Sequence, residues 1–335
     1  MASVRQIASK AGVSIATVSR VINNSTSVSD AARQKVLDAI NEERYSPAVG
    51  KLAATNIAYI FTDSITLGSS YDAGVLAGLS SGLEHNALDL LILNAKACRL
   101  PGEKFADVFR RKGVCGAIVR TTYPTQALTR AILESGLPVI VLGDQIEGHE
   151  HHCLDVDSRS ASQEAVEHLI GLGHRRVGFC TNIVDDKDHE DRFGGYMDAL
   201  DQAGIEIDNK LIFRVPANRQ GGEQLARRLA AMSDAPTALF IADPATGVGL
   251  LNEARNLGTQ VPGDLSVVGF DDSETRFSTA PQLTAVCQDA QRLGEQAIAR
   301  LTVMLARHTD GPAHADQPLR AWFEVNASTG QPAHR

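Results

Sequence analysis

The chain has 335 residues, 43% of them hydrophobic and 21% charged, which excludes wholesale disorder, a collagen repeat or an extended coiled coil. That length allows two or three domains. A net charge of -8 argues against a uniformly basic nucleic-acid binder, and no apolar run reaches the ~18 residues of a membrane span.

The first 45 residues predict three short helices. Val4, Ile7 and Ala8 give a first apolar stripe. Ala11-Gly-Val13 predicts a tight turn, with Gly12 free to take a positive φ. Ser14 then caps a second helix in which Val18, Val21 and Ile22 face inward. Asn23 to Thr26 break that helix, and Ser29 caps a third, burying Ala32, Val36, Leu37 and Ile40. The third helix ends before Tyr45-Ser-Pro47, because a residue that precedes proline leaves the helical region. Charge marks this segment out. Residues 1–56 hold seven Lys or Arg against four Asp or Glu, a net of +3, which leaves -11 on the rest of the chain. A small basic module on an acidic body suits local DNA binding while the bulk resists non-specific capture.

From residue 57 the pattern changes to short apolar runs alternating with amphipathic helices. The predicted strands are 57–61, 88–93, 116–119, 138–142, 177–180, 211–215, 238–242 and 266–270. Helical stretches are 73–85, 125–135, 160–172, 194–203, 220–232 and 246–257. Continuous apolar strands alternating with helices predict parallel sheets covered on both faces. Eight such units are too many for one sheet of usual width, so two similar lobes are expected, changing near 155–159.

Val4 to Asn23 form a helix-turn-helix pattern whose second helix exposes small polar residues and an arginine. Ala11-Gly-Val-Ser14, Thr17 to Asn23, Val28-Ser29, Arg33, Val36 and Tyr45-Ser-Pro47 together resemble the N-terminus of the lactose-repressor/galactose-repressor (LacI/GalR) family of bacterial transcription regulators. The resemblance continues through the Glu167 to Val177 segment, Arg192-Phe-Gly-Gly-Tyr196, Val267-Val-Gly-Phe-Asp-Asp272, Pro281 to Asp289 and the closing strand at 323–329. It implies an all-α helix-turn-helix head and an α/β, two-lobed, periplasmic-binding-protein-like core with parallel sheets. The implied divisions are a head at 1–47, a shortened hinge at 48–56 and a ligand-binding and dimerisation core at 57–335. Lobe 1 covers about 57–157 and 288–316, and lobe 2 about 158–287 and 317–330. The hinge departs from the family by its length and by Ala48, where asparagine is usual.

By the same resemblance the helix at 14–23 enters the major groove. Ile15 and Ala16 could contact only thymine methyls there, whereas Arg20 can bond guanine O6 and N7 together. Ser14, Thr17, Ser19, Asn23, Ser29 and Tyr45 carry groups suited to phosphates. For Ser14 and Ser29, helix capping is the competing use. Leu52 occupies the place of a minor-groove wedge, or else packs on the core.

Two lobes of this kind hold a small molecule beyond the carboxyl ends of their strands. The candidates are Ser64, Tyr71, Arg120, Arg192, Asp243 and Asp271, the last three also by resemblance. A guanidinium donates to ligand hydroxyls and carboxylates accept from them, which suits a sugar or a nucleoside. The expected partners are double-stranded operator DNA, a sugar-like effector and a second copy of the chain or a higher assembly. The dimer helices are expected at 71–85 and 291–307, with Ala73, Leu76, Ala77 and Leu83 as an apolar face.

Other features carry less. His149-Glu-His-His-Cys153 holds metal-ligand residue types, but adjacent residues point to opposite sides, so it reads as an exposed loop. Gly247-Val-Gly249 begins a dinucleotide-loop pattern in which Asn252 stands at the third glycine. There is no nucleophile elbow or phosphate loop, so no catalytic residue, cofactor or metal is assigned. The five cysteines (98, 115, 153, 180 and 287) lack Cys-x-x-Cys spacing and the N-terminus lacks a signal-peptide core. A cytoplasmic protein with reduced thiols is expected. Rival readings are a stand-alone sugar-binding protein, or an α/β enzyme.

Overall fold

Three helices make the first unit: α1 (Val4–Ala11), α2 (Ile15–Ile22) and α3 (Asp30–Glu42). The computed structural model describes residues 4–22, 28–42, 54–64, 66–307 and 319–333. Gly12 turns the chain between α1 and α2 at φ 65°, and the Val13 N–H closes the end of α1 onto Ala8 O at 3.0 Å. Ile7, Ala8, Ala11, Val18, Val21, Val36 and Ala39 form a common core. Leu37, expected inside, is exposed, and Ala39 faces the core in its place. A helix turns about 100° per residue, so Val36 and Leu37 cannot share one face, whereas residues 36 and 39 can.

The chain divides into two compact units, Met1–Ala54 and Thr55–Arg335. The second opens with β1 (Asn56–Phe61), α4 (Ser70–Asn86), β2 (Asp89–Asn94), α5 (Phe105–Lys112), β3 (Val114–Arg120), α6 (Gln126–Leu133), β4 (Val139–Leu142) and β5 (Cys153–Leu154). These five strands pair in parallel in the order β2-β1-β3-β4-β5. Apolar side chains cover the sheet on both faces, Ile57, Tyr59 and Phe61 on one and Ala58 and Ile60 on the other, as the period of two requires.

After β6 (Val156–Asp157) the chain builds a second lobe. Its elements are α7 (Arg159–Gly171), β7 (Val177–Asn182), α8 (Lys187–Gln202), β8 (Ile212–Val215), α9 (Arg219–Ala230), β9 (Ala238–Ile241), α10 (Pro244–Asn256), β10 (Ser266–Asp271) and β11 (Thr284–Cys287). It then returns to the first lobe with α11 (Ala290–Arg307). Last come β12 (Leu319–Arg320), parallel to β6, and β13 (Trp322–Glu324), antiparallel to β11. The second sheet runs β13-β11-β10-β9-β7-β8. Among the described residues no helix is long and apolar enough to cross a membrane.

Glycine lets the helices meet. A Cβ on Gly78 of α4 would lie 2.0 Å from Gln291 O of α11, and one on Gly294 would lie 2.2 Å from Val75 O. Of the glycines at 247 and 249, Gly249 stands at the α9–α10 contact, where a Cβ would lie 2.1 Å from Arg219 O, whereas a Cβ on Gly247 would meet only Leu283, at 3.5 Å. Gly249 therefore serves helix packing. The histidine run is not an exposed loop throughout: His152 is buried, with Nδ1 2.8 Å from Val139 O, and Cys153 is buried in β5.

Candidate ligand cleft and DNA-binding helix

In the first unit, the Ser14 hydroxyl accepts from the Thr17 N–H at 3.0 Å and so caps α2, and it lies 2.9 Å from the Thr17 hydroxyl. Ser14, Ala16, Ser19, Arg20 and Ser29 are exposed, Thr17 is half-buried, and Ile15 is 49% exposed, unusual for a large aliphatic side chain. The amino end of α2 thus presents an apolar pair with Arg20 more than a turn further on. Asn23, Tyr45, Leu52 and residues 48–53 of the expected hinge lie outside the described residues.

In the second unit a cavity of about 440 Å³ lies between the carboxyl ends of the two sheets. Lobe 1 contributes Ser64, Tyr71, Asp72 and Arg120, and lobe 2 contributes Asp186, Asp188, His189, Arg192, Asp243 and Asp272. Of the six residues expected there, Ser64, Tyr71, Arg120, Arg192 and Asp243 line it. Asp271 does not. Its carboxylate is turned into the loop that follows β10, accepting from the N–H groups of Thr275 at 3.1 Å and Arg276 at 3.2 Å and from Arg276 Nη1 at 2.8 Å. Asp272, one residue on, faces the cavity instead, because successive residues leaving a strand point to opposite sides.

On the lobe 1 wall, Asp72 in the first turn of α4 accepts from Tyr59 Oη at 2.8 Å and Ser69 Oγ at 2.8 Å. Arg120 Nε lies 3.6 Å from Asp72, and its guanidinium lies over the Tyr71 ring, 4.1 Å from the centroid. Burial pushes the Tyr71 phenol well up, and its hydroxyl has no hydrogen-bond partner.

On the lobe 2 wall, α8 begins at Lys187, seven residues before the helix read from the sequence. Its acidic opening forms a cap and the first two turns. Asp186 is the N-cap, accepting from the His189 N–H at 2.9 Å, and acids in the first turn favour that helix end. Arg192 therefore projects from the helix interior. It is 5% exposed, donates from Nη1 to Ala242 O at 2.7 Å and lies over the Phe270 ring at 3.5 Å, while its Nε has no partner.

His189 joins two carboxylates: Nδ1 is 2.6 Å from Asp186 Oδ1 and Nε2 is 3.1 Å from Asp243 Oδ1. Burial alone would lower the imidazole, but the charge of Asp243 and the bonds to both aspartates outweigh it and raise its pKa to about 10. Burial acts the other way on Asp186, yet the bond and charge of His189 hold it down at about 2. Asp188, with no such bond, is pushed up to about 6 by burial, against the pull of Arg192. Asp243 occupies the N-cap position of α10 without making a side-chain capping bond, so its carboxylate serves His189 and the cavity. Asp186, Asp188 and His189 were missed because an acidic run without apolar periodicity gives no helix signal.

An exposed recognition helix and a two-lobed polar cleft within one chain define a ligand-binding transcription regulator. Residues 3–48 match the model of the bacterial regulatory proteins of the lacI family, and residues 166–323 match the periplasmic binding protein-like domain. The chain thus carries a lacI-family DNA-binding domain together with a periplasmic-binding-protein-like domain, and its relatives are regulators of the LacI/GalR family. It is 28% identical over 302 residues to the HTH-type transcriptional regulator DegA of Bacillus subtilis (strain 168), covering 88% of each chain. It is also 28% identical to the HTH-type transcriptional regulator GalR of Escherichia coli (strain K12), over 91% of this chain and 90% of that one. A solved structure of the transcriptional regulator CelR with cellobiose superposes with a TM-score of 0.71 at 25% identity, over 98% of this chain and 100% of that one.

Proposed function

We propose that the chain is an operator-binding repressor, active as a homodimer in the cytoplasm and controlled by a small polar metabolite such as a sugar or a nucleoside. Residues 1–47 bind DNA through α2, and residues 57–335 bind the effector and pair the two copies. Two heads related by a two-fold axis read a near-palindromic operator. Exposed Ala73 and Ala77 on α4 suit a dimer contact, whereas Leu83 is committed to the lobe 1 core.

The observation that carries this reading is the cleft's composition: Tyr71 and Arg120 come from one lobe, Arg192 and Asp243 from the other. A ligand touching both sets favours the closed arrangement of the lobes, and its effect on DNA is bounded by its differential affinity for the two arrangements. CelR's complex with cellobiose gives a saccharide precedent in a similar fold. The test compares the full chain with a chain lacking residues 1–50 on operator DNA. Loss of specific DNA binding with retained ligand binding is expected, and retained specific DNA binding refutes the assignment.

A further inference from the structure

The cavity is charged by its own chain. Six aspartates line it (63, 72, 186, 188, 243 and 272), against three arginines and His189. Each of those cations is already engaged. Arg120 faces Asp72 at 3.6 Å, Arg192 donates to Ala242 O at 2.7 Å, Arg219 pairs with Glu223, and His189 lies between Asp186 and Asp243.

Four helix amino ends open on the cavity, where a phosphate or carboxylate of a ligand would ordinarily be held. At three of them stands an aspartate: Asp72 in the first turn of α4, Asp186 at the cap of α8 and Asp243 at the cap position of α10. The fourth, that of α9, is capped by Asn218, whose side chain accepts from the Gly221 N–H at 2.9 Å. The first residue of α10 is Pro244, which has no N–H to offer. The turn after β10, a further group of convergent N–H donors, is filled by Asp271. An anionic ligand would meet carboxylates at three of the four helix ends and at this turn, and an amide cap at the fourth.

The remaining polar atoms suit hydroxyl groups. Three buried donors, the Tyr71 hydroxyl, Arg120 Nε and Arg192 Nε, belong to lining residues and have no hydrogen-bond partner, and among the described residues no donor bonds Asp188. Nor, among the described residues, is there a pair of facing aromatic rings for a flat base. The lining aromatics are Phe61, almost wholly buried, and Tyr71, whose ring carries Arg120 on one side.

We propose that this cleft selects by charge and shape, taking an uncharged, non-planar, hydroxyl-rich molecule (a saccharide or polyol) and excluding phosphorylated or carboxylated counterparts and flat nucleobases. This rests on the reading of the cleft as the effector site and narrows it. Carboxylates accept from ligand hydroxyls in this arrangement, the unbonded Tyr71, Arg120 and Arg192 donors complete the set, and the surplus negative charge repels anions.

The full-length protein is titrated, by calorimetry and thermal shift, with neutral pentoses, hexoses, disaccharides and polyols, their phosphate monoesters, uronic acids, nucleosides and inorganic phosphate. Binding confined to neutral sugars or polyols is expected, with the phosphate monoester of the best ligand weaker by at least about a hundredfold. Inorganic phosphate is expected to give no thermal shift beyond a matched-salt control. The proposal is overturned if a phosphate ester, uronic acid or nucleoside binds as tightly as any neutral sugar, or if no neutral member binds. The paired substitutions Asp186→Asn and Asp243→Asn remove the negative charge at two helix ends while keeping the side-chain shape, and should narrow the neutral-to-phosphate ratio by at least about tenfold. An unchanged ratio in a folded double variant contradicts the mechanism. Operator gel shifts run in parallel separate the two claims: neutral-sugar binding that leaves DNA affinity unaltered refutes the regulatory reading and leaves the selectivity standing.

Discussion

Ser70 and Asp272 belong to opposite lobes and meet across the cleft: the Ser70 hydroxyl donates to Asp272 Oδ2 at 3.0 Å, while Gln288 Nε2 holds the other oxygen at 2.6 Å. Burial pushes the Asp272 carboxyl up, so each donor that favours its ionised form matters. Ser70→Ala removes the cross-lobe donor. The cost of a buried acceptor left short of a partner is about 1–3 kcal/mol. The expected outcome is weaker closure, seen as a larger radius of gyration by small-angle scattering and a higher effector Kd. An unchanged Kd and radius would show that the contact does not couple the lobes.

Arg192 is the second test of the cleft. Removing its guanidinium strips the positive charge from beside Asp188 and Asp272 and the donor from Ala242 O. Loss of a charge-assisted hydrogen bond costs about 1.5–3 kcal/mol. For Arg192→Ala, the effector concentration at half response in an operator titration is therefore expected to rise by at least about tenfold. A response at the wild-type concentration would remove Arg192 from the effector site.

The charged triad sets a pH dependence with a definite sign. His189 is raised to about 10 from an ordinary value near 6.5, so the stability it contributes is complete below about pH 6.5 and is lost as the pH rises through 10. Asp186, depressed to about 2, contributes stability that is present above about pH 4 and is lost as the pH falls through 2. Asp188 has the opposite sense: raised to about 6, its ionisation costs stability above that pH, and protonation below it relieves the cost. In denaturant melts from pH 6.5 to 10, the wild type is expected to lose a share of stability on the order of a few kcal/mol that His189→Gln does not lose. Equal slopes in the two proteins would contradict the triad.

How much of this was legible in the sequence depended on the kind of signal each part left. Strands such as β1, β7 and β9 are buried on both faces, so they read directly as apolar runs. The two-residue strands β5, β6 and β12, which join or edge the sheets, are too short to show any period. Arg192 and Asp243 were accessible from strand-end logic and family resemblance. The choice between Asp271 and Asp272 was not, because it depends on where the pleat stops. Asp186 and His189 meet through a helix cap and Asp243 only through tertiary structure, and neither relation leaves a periodic trace.

Gly78 is another feature that composition could not reveal. Its helix passes α11 so closely that an added methyl would meet backbone atoms, Gln291 O at 2.0 Å and Glu295 N at 2.7 Å. Elsewhere in a helix Gly→Ala stabilises by about 1 kcal/mol. Here the separation of two helices is required, and Gly78→Ala is expected to destabilise lobe 1 by about 1–3 kcal/mol, as overpacking does. A variant with an unchanged or higher Tm would show that α4 and α11 can part without cost.

The central claim is sequence-specific DNA binding through α2, and selection of bound sites from random duplex DNA by the full-length protein tests it most directly. The expected product is an enriched inverted repeat with a guanine in each half-site. Preference for that guanine should fall by about 1–3 kcal/mol in Arg20→Ala, with the rest of the motif retained. A uniform loss across all sequences would make Arg20 a phosphate contact, and failure of the wild type to enrich any sequence would contradict the account itself.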